Sequence, residues 1–144
     1  MLKGIPKEIS PDLLKILCEM GHGDEIVIAD GNFPSQNYGK HVVRADGVNG
    51  VEMLDAVLKL IPLDTYATEN VVLMSLEKQD EGKINPTIWE EYETVAKGND
   101  ENVRLKNINR FEFYERAKRA YAVIATSERA VCANIILKKG VVKV

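Results

Sequence analysis

Residues 25–29 read Glu-Ile-Val-Ile-Ala, and no polar side chain interrupts the last four. A β-branched, apolar run of this kind suits a strand covered on both faces, because a strand with one wet face would alternate. A chain carrying such a strand must supply layers on both sides of a sheet. Residues 70–75, Asn-Val-Val-Leu-Met-Ser, repeat the pattern, and 41–44, 105–109, 121–125 and 133–138 are further strand candidates.

Helical patterns lie between these runs. Ser10-Pro11-Asp12 is a helix start, in which serine caps, proline fits the first turn and aspartate complements the dipole. Leu13, Leu14, Leu17 and Met20 follow at helical spacing, and Gly21 is placed to end the element. Val51, Leu54, Val57, Leu58 and Ile61 form a second stripe, stopped by Pro62. Pro86 opens a third helix carrying Ile88, Trp89, Tyr92 and Val95, where Trp89 reads as a packing residue, and 111–120 is a fourth. Residues 30–40 read as loop and 77–83 as a solvated connection. Strands alternating with helices predict an α/β layer structure. At 144 residues the chain fits one domain, 1–144, without internal repeats.

Charge and cysteine content narrow the function classes. A net charge of −3 gives no electrostatic footprint for nucleic acid. No apolar run approaches the roughly 20 residues of a membrane helix, and Met1-Leu2-Lys3 opens no signal peptide. Cys18 and Cys132, the two cysteines, are expected as free thiols in a reducing cytoplasm, with no structural zinc site and no bound metal.

Few residues remain that can do chemistry. GxSxG, P-loop and GxGxxG patterns are absent, which removes serine-nucleophile and phosphate-cradling schemes. His22 stands between Gly21 and Gly23. Imidazole, with an ordinary pKa of about 6.5, is the side chain best matched to proton transfer near neutral pH, although a histidine between helix and strand also fits a capping role. Asp30 closes the first strand, where open α/β sheets place ligand-binding groups, and Asp-Gly equally suits an Asx turn. Arg110 and Tyr114 belong to a segment whose interleaved Glu112 and Glu115 mark a solvated helix face. A straight five-residue strand would hold His22 and Asp30 about 17 Å apart, so they share a ligand only if the loops curl back or a neighbouring subunit intervenes.

The chain resembles a known family. The segments MGHGDEIVIAD, NFP, RADG, LIPLDTY, INRFEFYERA and NIILKKG occur in order across nearly its whole length and are similar to the ribose pyranase and fucose mutarotase family, with RFEFYERA pointing to the fucose branch. The resemblance implies a three-layer α/β/α fold around a central sheet, assembled as a homodecameric ring. It implies an isomerase that interconverts the α and β anomers of a free monosaccharide, L-fucose, without a cofactor. On matching residues, His22 corresponds to the family's proton donor, Asp64 and Tyr114 to further residues implicated in the reaction, and Asp30 and Arg110 to sugar-binding positions. Asn134 matches the end of a C-terminal sugar-binding triplet. That triplet is commonly Tyr-Gly-Asn or Tyr-Ala-Asn in the family, whereas here it is Cys132-Ala133-Asn134. A thiol lacks the phenol's aromatic face and is a weak hydrogen-bond partner, so Cys132 cannot serve a sugar as tyrosine does. Phe33 or Tyr38 would suit the methyl group of fucose. A non-catalytic monosaccharide-binding protein accessory to sugar uptake, or a mutarotase for another sugar such as D-ribose, would carry much the same residues.

Overall fold

The computed structural model describes residues 1–144, and it places the run at 25–29 as strand β1 (Glu25–Ala29) inside a six-stranded sheet. The other strands are β2 (Val42–Ala45), β3 (Val71–Met74), β4 (Leu105–Ile108), β5 (Ala122–Thr126) and β6 (Ile135–Lys138), in the order β2-β5-β1-β6-β3-β4. All six predicted strands are present, β1 with the bounds read from the sequence and the other five with ends shifted by one or two residues. β1 runs parallel to β5, β5 to β2, and β3 to β4. β6 is antiparallel to both of its neighbours, with Val27 opposite Ile136 in β1 and Val72 opposite Ile136 in β3. The carboxyl ends of five strands therefore share one edge with the start of β6, and their amino ends share the other with its end.

Helices α1 (Pro11–Glu19), α3 (Gly50–Leu58) and α4 (Ile88–Asn99) cover one face, and α2 (Ser35–Tyr38) and α5 (Arg110–Arg119) the other. This is the three-layer α/β/α arrangement. The pleat sorts side chains between two cores: Ile26 and Ile28 join Leu13, Leu54 and Tyr92, while Val27 and Ala29 join Phe33, Phe113 and Ala117. All four apolar residues of β1 are fully buried. Burial on both faces is the reason its sequence does not alternate.

The predicted helix start at 10–12 holds, with Ser10 Oγ accepting from the Leu13 amide at 3.2 Å. α2 lies within the stretch read as loop, and a 3₁₀ turn (Lys78–Asp80) lies within the connection read as solvated. Four and three residues are too few to display a helical period. Arg116 of α5 reaches across to β1, where Nη2 donates to Glu25 Oε2 at 2.6 Å, and its Nη1 donates to Glu69 Oε1 at 3.2 Å.

Candidate functional site

Asp30 lies directly after β1, and the residue is 5% exposed. Its Oδ1 accepts from the Asn32 amide (2.9 Å), and its Oδ2 accepts from the Ala133 amide and Asn134 Nδ2 (both 3.2 Å). The Asp30 amide donates back to Asn134 Oδ1 at 2.7 Å. Burial pushes the Asp30 carboxyl above its ordinary range, against the pull of these hydrogen bonds. The Asx turn and the ligand-edge position thus coexist at one residue. Cys132, in the turn before β6, has φ 55° and is the one non-glycine residue with positive φ. Such backbone strain requires surrounding contacts to hold it. Burial also pushes the Cys132 thiol up, as does the nearby Asp30 charge.

Arg110 opens α5 at the same edge. Asn109 caps that helix by accepting from the Glu112 amide at 2.9 Å, and its own Nδ2 donates to Glu112 Oε1 at 2.8 Å, a reciprocal cap that fixes where the helix begins. Arg110 Nε stands 2.6 Å from Glu77 Oε1, and its guanidinium lies 5.8 Å from the centre of the Tyr114 ring. Tyr114 stacks on Tyr38 at 4.7 Å and meets the edge of Phe33 at 5.5 Å. Burial raises the Tyr114 hydroxyl pKa, partly offset by Arg110, so the phenol is a donor at neutral pH. Phe33 is committed to core packing against Phe113 and Tyr114, which leaves Tyr38 as the more open aromatic of the two considered for a methyl contact.

His22 lies at the opposite edge, in the turn between α1 and β1. Gly23 adopts φ 86°, a left-handed conformation that glycine enters without steric cost, and its amide donates to the Lys139 carbonyl just past β6 at 2.8 Å. Lys139 Nζ donates to the carbonyls of Met20 and Leu17 at 2.5 and 3.2 Å, closing the end of α1. His22 Nε2 is 2.9 Å from Asp64 Oδ1, and the imidazole packs against Tyr66 with ring centres 5.1 Å apart. The imidazole is 45% exposed and the Asp64 side chain 6% exposed. Burial alone would raise the Asp64 carboxyl, but the Tyr66 amide and His22 outweigh it and hold it below the ordinary range.

The predicted residues therefore fall into two groups. Asp30, Arg110, Tyr114, Cys132, Ala133 and Asn134 gather at the carboxyl edge, and His22 pairs with Asp64 at the amino edge, with β1 between them. The loops do not curl back to join the two. Glu77 was missed because it sits in a polar run, although its place three residues beyond a buried strand is a signal for the ligand edge. Tyr66 was missed because nothing in its local pattern reports a contact with His22. No cluster of three or more histidine, cysteine, aspartate or glutamate side chains is spaced to hold a metal ion, and no helix is long and apolar enough to cross a membrane.

Fold and site together define an α/β protein that presents polar and ionisable side chains at both edges of a mixed sheet. Residues 3–142 match the model of the RbsD / FucU transport protein family, and the chain belongs to that family. It is 50% identical over 143 residues to a mouse protein named fucose mutarotase, covering 96% of this chain and 94% of that protein. It is 48% identical over 144 residues to the human protein of that name, covering 97% and 94% respectively. The crystal structure of the fucose mutarotase from Streptococcus pneumoniae in complex with L-fucose superposes with a TM-score of 0.92 at 49% identity, over 99% of this chain and 100% of that one. The Bacillus subtilis RbsD structure complexed with D-ribose shares the fold, with a TM-score of 0.75 at 24% identity over 94% of this chain and 95% of that one.

Proposed function

We infer that this protein is an isomerase that interconverts the α and β anomers of free L-fucose by cofactor-independent acid–base ring opening and closure. The observation that carries the reading is the His22–Asp64 pair, a half-exposed imidazole 2.9 Å from a carboxylate held ionised, in a chain about half identical to fucose mutarotases. With Nε2 bonded to Asp64, Nδ1 is the nitrogen that exchanges a proton with the sugar. Protonation of the ring oxygen and removal of the proton from the anomeric hydroxyl break the bond between the anomeric carbon and the ring oxygen, giving an aldehyde that rotates and recloses. Asp64 orients the imidazole through its bond to Nε2. Tyr114 assists proton transfer, while Asp30, Arg110 and the triplet Cys132, Ala133 and Asn134 hold sugar hydroxyls.

The two residue groups complete one site when the amino edge of one copy meets the carboxyl edge of the next. A head-to-tail ring, a homodecamer in this reading, supplies that meeting, because a heterologous interface that closes repeats one junction around the ring. The free thiols of Cys18 and Cys132 suit a cytoplasmic home.

Saturation-transfer NMR of anomer exchange tests the reading, with L-fucose, D-ribose and D-galactose as substrates. Wild type is expected to accelerate L-fucose exchange, and His22→Ala to lose about 10²–10⁴-fold of that acceleration. Binding of L-fucose without any acceleration would leave a non-catalytic sugar-binding protein. Faster exchange of D-ribose than of L-fucose would assign a pentose substrate instead.

A further inference from the structure

The turn that carries Cys132 and Ala133 is strained, and α4 holds it. Trp89 Nε1 donates to the Cys132 carbonyl at 3.2 Å, and Tyr92 Oη donates to the Ala133 carbonyl at 3.0 Å. Residues 89 and 92 are three apart, so both donors leave one face of the helix. The Cys132 carbonyl and the Ala133 amide belong to the same planar peptide and point in opposite directions. That peptide is therefore bonded to Trp89 on one side and to Asp30 Oδ2 on the other. The next peptide is tied to α4 through Tyr92, and it leads into Asn134, whose side chain meets Asp30 through both of its polar atoms.

Tyr92 is itself closely constrained. Its side chain is fully buried, and its hydroxyl lies against Gly50, where a Cβ would collide with the phenol oxygen. Burial, with the charges of Glu128 and Asp30, keeps the phenol protonated throughout the working pH range, so Oη stays a donor.

We propose that Trp89 and Tyr92 are positioning residues for the sugar-binding turn, holding two successive peptides so that Ala133 N and Asn134 Nδ2 meet Asp30. The proposal rests on reading this edge as sugar-binding, and it concerns residues that touch the turn and not the sugar.

Two measurements on Tyr92→Phe test it, amide hydrogen exchange of the sugar-free protein and the concentration dependence of L-fucose anomer exchange. Exchange at the Ala133 and Asp30 amides is expected to quicken about tenfold while Val27 and Ile28 stay unchanged. The KM is expected to rise about 3- to 10-fold, as loss of one neutral hydrogen bond implies, with kcat within about twofold of wild type. A merely structural tyrosine would instead lower the folded fraction, reducing kcat at constant KM with both amides unaffected, and that result overturns the proposal. Should Tyr92→Phe fail to fold, Trp89→Phe carries the same two measurements at a half-buried position. The amide measurement needs no sugar, so it decides the proposal even if wild type proves to lack mutarotase activity.

Discussion

At the scale of single residues, two buried aspartates are pushed in opposite directions by different surroundings. Asp30 is raised by burial and Asp64 is held down by the Tyr66 amide and His22, so carboxyl-carbon NMR should find Asp30 titrating above Asp64. The reverse order would refute this account of the two edges. The sign for stability follows from linkage. Because the folded pKa of Asp64 lies below the unfolded value of about 3.9, its contribution is complete above that range and is lost as pH falls through the folded value. Asp30 has the opposite sign, since its contribution is complete below about 3.9 and is lost as pH rises toward its raised folded pKa. Denaturation midpoints measured from pH 7 to pH 3 should accordingly fall less steeply in Asp64→Asn than in wild type. An unchanged acid slope would show that the His22–Asp64 pair contributes nothing to folding.

Among elements, α5 and α4 each have a contact that can be cut cleanly. Arg116 joins α5 to Glu25 at the start of β1 and to Glu69 ahead of β3, with all three side chains largely shielded from water. Arg116→Met leaves both carboxylates without their partner, and a loss of about 3 kcal/mol in urea denaturation is expected. Gly50→Ala should cost about 1–3 kcal/mol by the same measurement, because the added methyl displaces the Tyr92 phenol from a close-packed position. Strand positions were legible because buried runs such as 25–29 and 70–75 carry their own signal. The direction of β6 was not, since an apolar run reads alike whether its neighbours run parallel or antiparallel. Trp89 and Tyr92 fit a packing stripe in the sequence and do pack, but their bonds to carbonyls 43 and 41 residues away leave no local pattern.

Across the whole molecule, the separation of His22 from Asp30 was legible from strand length alone, whereas the partners of each were not. Contacts such as His22 with Asp64 and Arg110 with Glu77 depend on which elements meet at an edge, and periodicity does not report that. The head-to-tail site proposed for this chain makes a mixing experiment decisive. His22→Ala and Arg110→Ala should each be severely impaired alone, yet a co-refolded equimolar mixture should recover about a quarter of wild-type activity, because random junctions pair two intact edges about one time in four. No recovery from such a mixture, with mixed assemblies shown by mass, would place the whole site within one copy.

β6 gives these edges a common dependence. It begins beside Asn134 in the Asp30 cluster and ends beside Lys139, whose backbone and ammonium grip the turn bearing His22. A one-residue insertion or deletion in such a strand turns every later side chain to the other face. Point changes at either end of β6 can thus act separately, one on the Asp30 cluster and the other on the turn bearing His22. Its length is less free, because an added or lost residue keeps one edge in register only by displacing the other.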